Sequence, residues 1–173
     1  MKAQKSYQNW LKTAAFYESE LPKYSADDFT KKQSDEAWSI GQMYQHLVKG
    51  TMVFHAKFAE DALATNENSG EGKTMPGKIS YLIGGFPPIK IKVPASTEYT
   101  PPQPKSKEAV MEDFVNLKIQ LKDLAEKIDA SNSKGKIKHP AFGYLTALEW
   151  FQMIDMHFKH HLRQKKRLDT LLS

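Results

Sequence analysis

An apolar repeat at residues 106–130 predicts the clearest amphipathic helix of this 173-residue chain. Its apolar residues recur at alternating steps of four and three, at Val110, Phe114, Leu117, Leu121, Leu124 and Ile128. Side chains at this spacing share one face of an α-helix. Because an apolar face is stable only against other elements, the rest of the chain must supply partners for this helix.

Three further segments have helical periodicity. The first covers about residues 6–21 and is ended by Pro22, which cannot continue a helix. The second starts at Ser39, a favoured N-cap residue, and reaches about residue 64. The last begins at Thr146, which forms a capping box with Glu149, and runs to the C-terminus. Four long helices predict an all-α fold, a four-helix bundle that forms one domain over residues 1–173.

A long crossover, about residues 65–105, joins the second and third helices. It contains Gly84-Gly85 and seven of the nine prolines of the chain. Connections of this length in compact domains are usually functional or partly disordered. Residues 79–93 are apolar enough to pack across the bundle, and a short helix is expected near residues 79–83.

Composition excludes several classes of protein. Without cysteine there is no disulfide, and a metal site must use His, Asp, Glu or backbone oxygens. The net charge is +5, but the lysines are spread along the chain, which favours a solvated basic surface over nucleic-acid binding. No apolar stretch is long enough to cross a membrane, and the first ten residues lack a signal-peptide core, so we expect a cytoplasmic protein with no membrane partner.

Six histidines are the candidate metal ligands. His157 and His161 are four residues apart and project from one helix face, where two imidazoles can hold one ion. A third ligand must come from elsewhere, and His46 on the second helix is the natural candidate because it can face the last helix across the bundle. His160 is the alternative partner at spacing three, but Gln164 continues the line of His157 at a step of seven, which favours His161. By spacing alone, such a pair is more often a surface or hydrogen-bonded core feature than a metal site.

The other two histidines, His55 and His139, do not lie three or four residues from another histidine. His55 is expected at the surface or at the edge of the core, and His139, which precedes Pro140, is expected to be a loop or outer-sphere group. The catalytic residues are unknown, since Glu149 is occupied by capping and Asp155 lies off the His157 face.

Three ordered motifs resemble the DinB-like family. Residues 38–47 (WSIGQMYQHL) resemble the opening of its second helix, and residues 139–150 (HPAFGYLTALEW) resemble the run into its last helix. Residues 157–164 then resemble its H-x-x-x-H-x-x-Q pattern. The proline-rich end of the crossover, residues 101–104 (PPQP), looks like a subgroup called the domain of unknown function 1569.

The resemblance implies a divalent metal ion, zinc or nickel, bound by His46, His157 and His161. It also implies a metal-dependent enzyme with a small-molecule substrate, such as an S-transferase that uses a low-molecular-weight thiol, or a hydrolase. The alternative is a non-catalytic bundle that binds metal or a protein partner. Related bundles commonly pair, and the first helix is rich in aromatic residues, so we expect a homodimer.

Three histidine ligands also imply acid sensitivity, because protons compete with the metal for the same lone pairs. With an ordinary histidine pKa, the holo-protein is expected to lose its stability advantage over the apo-protein between about pH 6.5 and about pH 5.

Overall fold

A computed structural model describes residues 2–86 and 100–172 of the chain. The helices and strands, in chain order, are α1 (Lys2–Glu20), α2 (Ala26–Thr30), α3 (Ile40–Gly50), α4 (Lys57–Leu63), α5 (Met75–Ile83), α6 (Lys107–Ala130), β1 (Lys136–His139), β2 (Gly143–Thr146) and α7 (Ala147–Leu172). A 3₁₀ turn, Leu21–Lys23, follows α1, and a π-helix, Thr51–Ala56, joins α3 directly to α4. The protein is mostly helical, as the sequence predicts.

The long helices pack around a shared core, and hydrogen bonds give their directions. Thr13 bonds Asp155 at 2.8 Å and Tyr17 bonds the backbone oxygen of Phe158 at 2.8 Å, so α1 and α7 run parallel. The α3–α4 segment runs antiparallel to α7. Interlocked aromatic rings with little or no exposed area fill the centre: Trp10, Tyr17, Tyr44, Phe114 and Phe158.

Helix starts follow the predicted caps. Ser39 and Gln42 form a capping box at the start of α3. Thr146 accepts the Glu149 amide at 3.3 Å, while the Glu149 carboxylate accepts the Thr146 amide at 2.9 Å. These boxes satisfy backbone donors that the first helical turn leaves open. They therefore fix where α3 and α7 begin.

Two features depart from the sequence prediction. The second helix contains a π-helix where uninterrupted α-helix was expected, and a two-stranded antiparallel hairpin of β1 and β2 precedes α7. Strands of four residues give little periodicity to detect. The turn depends on Gly143, whose positive φ of 79° suits glycine, and on close approach of the 72–74 backbone to that residue.

The crossover carries the short helix that the sequence predicts, although α5 starts at Met75, earlier than expected. The Tyr81 hydroxyl donates to the backbone oxygen of Glu149 at 2.6 Å, and Lys73 forms an ion pair with the Glu149 carboxylate. These bonds hold the first half of the crossover against the start of α7. The predicted packing of residues 87–93 lies outside the described residues.

Over residues 2–86 and 100–172, no helix combines the length and the apolar character needed to cross a bilayer.

Gly41 permits a close helix contact, and its replacement is expected to destabilise the fold. An added Cβ would meet the side-chain nitrogen of Gln103 and lie 2.8 Å from the carbonyl oxygen of Phe29. We expect Gly41→Ala to lower the free energy of unfolding by roughly 1–3 kcal/mol, as overpacking does. Gly70→Ala is the control, since its Cβ would meet no atom within 4 Å. Thermal melts that place Gly41→Ala at or above the wild type would contradict this contact.

Candidate metal centre

Three histidine rings from two helices converge on one point. The Nε2 atom of His157 lies 3.0 Å from Nε2 of His46 and 3.0 Å from Nε2 of His161. A ligand atom from each residue lies within 4.8 Å of the other two. The structure therefore brings together the three residues that the sequence singles out, across the antiparallel contact between α3 and α7.

Two of the three rings are held by neighbours outside the cluster. The Trp38 ring packs on His46 with centroids 5.0 Å apart. His161 Nδ1 donates a hydrogen bond of 2.6 Å to the Gln164 side-chain oxygen. Because that oxygen can only accept, the hydrogen is on Nδ1 and the lone pair is on Nε2, directed at the cluster. Gln164 thus does lie on the face that the sequence pattern indicates.

Hydrogen bonds among the three rings cannot satisfy all of their Nε2 atoms. His161 Nε2 has no hydrogen to donate, and the single Nε2 of His157 has two nitrogen neighbours at 3.0 Å. One hydrogen on His157 could bond to only one of them. Converging lone pairs of this kind are satisfied by a cation placed between them.

Burial keeps these histidines neutral. It lowers the pKa of His46 to about 4 and that of His161 to about 3, with further lowering by neighbouring histidines. Burial is also the main reason why the pKa of His157 lies well below its ordinary value, with neighbouring histidines adding to the effect. Neutral imidazole is the form that binds metal.

His55 is a fourth buried histidine in this region, and the sequence expectation for it was wrong. Its side chain is only 7 % exposed, and its ring centroid lies 4.8 Å from that of His157. His55 is nine residues from His46, and nine residues of α-helix are about 2.5 turns, which would place the two on opposite sides. The π-helix at Thr51–Ala56 has more residues per turn and changes this angle. Gly50 and Thr51, both poor helix formers, are the local sequence signal for it.

Other candidate groups are engaged elsewhere. The ring of His160 lies against Phe86 rather than in the cluster, as expected. His139 ends β1, stacks on Phe142 and accepts two backbone amides, so it is not a loop residue. Asp155 bonds Thr13 and Lys159. Together with the capped and paired Glu149, these contacts leave neither carboxylate aimed at the cluster.

The charge around the cluster is positive. The only two arginines of the chain, Arg163 and Arg167, lie on α7 close enough to lower the pKa of His160, after the effect of its burial. Arg167 contributes in the same direction at His161. Among the described residues no carboxylate joins the cluster. An anionic ligand bound beside the three histidines would therefore not be repelled by a carboxylate within the cluster.

The donor set fits a divalent transition metal. Imidazole suits zinc, copper, iron and nickel. With metal–nitrogen distances of about 2.0–2.1 Å, ligand nitrogens at ordinary angles stand about 2.9–3.4 Å apart. The two separations of 3.0 Å agree with this range.

Loss of the Gln164 contact is expected to weaken metal binding. Such outer-sphere bonds to a ligand histidine are worth about 10–100-fold in affinity. We expect that loss in Gln164→Leu, measured by competition with a chromogenic chelator. Gln164→Glu is the matched control, because its carboxylate still accepts from His161 Nδ1 and should preserve the affinity. A Gln164→Leu protein with unchanged affinity would show that the bond does not orient His161.

A sequence model of the DinB superfamily matches residues 12–164 of the chain. No curated protein and no solved structure matches it.

Proposed function

This chain belongs to the DinB superfamily, and from that premise we propose that it binds a divalent metal ion through His46, His157 and His161 and acts as a metal-dependent enzyme. The observation that carries the proposal is the convergence of three neutral ring nitrogens within 4.8 Å. Family membership and this cluster are both compatible with metal binding. Zinc and nickel are the ions that we propose. We also propose that the fold is a four-helix bundle and that the chain belongs to the domain of unknown function 1569 subgroup, to which the crossover motif points.

Three protein ligands leave coordination positions for a substrate, as in catalytic rather than structural sites. When bound, a divalent ion supplies Lewis acidity and favours the anionic form of a thiol or of water. The chain's own residues support that role. The histidines bring no charge to offset the ion, and Arg163 and Arg167 add positive potential on the same helix.

Of the two reactions, transfer by a small external thiol fits the residues better than hydrolysis. The chain has no cysteine, so a thiol nucleophile must come from outside. Hydrolysis needs a general base within hydrogen-bond reach of the attacking water. Glu149 is held by Thr146 and Lys73, and Asp155 by Thr13 and Lys159, so neither supplies one.

The alternative function is a non-catalytic module whose histidines bind metal without chemistry. Metal analysis of the purified protein, followed by a screen of small thiols with a chromogenic aryl halide and with a nitrophenyl ester, separates these functions. We expect stoichiometric metal and thiol-dependent loss of the aryl halide. Both should disappear in His157→Ala and persist in His160→Ala, the matched control one turn along α7. Metal binding without turnover of either substrate class would favour the module.

A homodimer remains a prediction. The structure buries Tyr7, Trp10 and Tyr17 in the core of one chain and leaves Phe16 45 % exposed, so most of the aromatic residues that suggested pairing serve the monomer. Light scattering coupled to size-exclusion chromatography at micromolar concentration should give twice the chain mass. A monomeric mass would contradict the prediction.

A further inference from the structure

A cavity of about 330 Å³ lies at the C-terminal end of α7, apart from the histidine cluster. It is bounded by the segment after α2, by the first residue of α3 and by the last turns of α7. Ile40, Leu168, Leu171 and Leu172 give it apolar walls, and Lys31, Lys32 and a glutamine complete the lining. Its volume falls at the lower end of the range for small-molecule sites.

The charge of the lining is one-sided. Among the described residues no acidic side chain lines the cavity, and none of their carboxylates forms an ion pair with Lys31 or Lys32. Asp169, the acidic residue of the last turns of α7, is already engaged by Lys165 and Tyr24. Two ammonium groups that no described carboxylate engages, beside apolar walls, suit an organic anion with an apolar body.

The cavity and the cluster share one face of α7. Leu168 follows His161 by seven residues, so both project in nearly the same direction. Seven residues of α-helix rise about 10.5 Å. Gln164, which bonds His161, lies between them on the same face. Measured along the helix axis, the cavity is therefore about one small molecule's length from the histidine cluster.

We propose that this cavity binds the apolar body and the carboxylate or phosphate of the substrate, whose reactive end reaches the histidine cluster. The substrate class is then an amphiphilic organic anion with a chain of about this length, held by Lys31 and Lys32 and by the leucines of α7. The anion site stands on the cavity alone, whereas its link to catalysis rests on the proposed function.

Calorimetric titration with octanoate and with uncharged octanamide tests the anion site. We expect octanoate to bind at least tenfold more tightly, and Lys31→Gln/Lys32→Gln to remove that advantage. Lys12→Gln/Lys122→Gln is the matched control, since it removes the same charge from exposed positions on α1 and α6. Leu171→Trp, which fills the cavity, should weaken both ligands. Equal binding of the two ligands, or an equal loss in the control, overturns the proposal. Octyl phosphate in the same titration shows which acid group is preferred.

A bifunctional probe tests the link to the metal. With zinc-loaded protein, 8-mercaptooctanoate should bind at least tenfold more tightly than octanoate, because its thiol reaches the metal. In His46→Ala that advantage should vanish while octanoate affinity is kept. If octanoate binds and 2-mercaptoethanol perturbs the spectrum of cobalt-loaded protein, but the probe gains nothing, the cavity is not part of the substrate site. If neither thiol affects the cobalt spectrum, the proposed function fails and the anion site remains.

Discussion

Replacing His46, His157 or His161 with alanine is expected to weaken zinc or nickel binding by about 100–1,000-fold. Structural zinc sites with four ligands bind with about 10–16 kcal/mol, so one ligand contributes roughly 2.5–4 kcal/mol. The Nε2 atoms of His46 and His161 each lie 3.0 Å from Nε2 of His157. No described carboxylate joins the group and the chain has no cysteine, so nothing of that kind could replace a lost ring. Metal content after dialysis and competition with a chelator measure the loss.

His160→Ala is the control, and His55→Ala is expected to have an intermediate effect. His160 lies outside the cluster, so its replacement should leave the affinity unchanged. His55 packs on His157, and its loss should cost no more than an outer-sphere contact, up to about 100-fold. Stoichiometric tightly bound metal in His46→Ala would show that the third ligand is wrong. His55 would then be the first residue to test in its place.

Acid is expected to destabilise the protein steeply, over a pH range that starts at the ordinary histidine pKa and extends well below it. In the unfolded chain each histidine titrates near pH ~6.5. In the folded apo-protein burial first, and then neighbouring histidines, lower the pKa of His46 to about 4 and those of His55 and His161 to about 3. Between these values the unfolded state binds protons that the folded state does not. The contribution of these histidines to the free energy of unfolding is therefore fully present above about pH 6.5. It is lost as the pH falls toward 4, by up to about 1.4 kcal/mol per pH unit for each histidine.

The proposed metal ion would add a second, separable effect. An ion that binds only the folded state stabilises it, so chelator at pH 7.5 should lower the melting temperature without unfolding the helical core at room temperature. Protons displace the ion from the folded state only near the lowered pKa values. The difference between holo- and apo-protein should therefore persist to about pH 4, below the window of pH 6.5 to 5 that ordinary histidine pKa values predict.

Melting curves of apo- and zinc-loaded protein from pH 7.5 to pH 4 measure both effects. His157→Ala, which lacks a ligand, should show one curve with or without zinc at every pH. Closure of the gap already by pH 5.5 would mean that the histidines titrate as exposed groups. A melting temperature that chelator does not move at pH 7.5 would show that the site is not coupled to stability.

Which residues share a face of one helix follows from the sequence, because helical geometry determines it. The spacing of four placed His157 and His161 on one face, and the step of seven placed Gln164 on that face. Short-range capping chemistry likewise determined where Ser39 and Thr146 start their helices. The hairpin before α7 escaped prediction because four-residue strands are stabilised by pairing with each other and by close backbone contacts at Gly143, which local periodicity does not record.

Relations between helices were decided by the tertiary structure. The sequence made His46 the candidate third ligand, but its distance to His157 depends on the packing of α3 against α7. The orientation of His55 depends on the π-helix, which changes the angle between residues that a regular helix would place on opposite sides. The depressed histidine pKa values follow from burial by the assembled helices, since desolvation exists only once distant segments have packed around these rings.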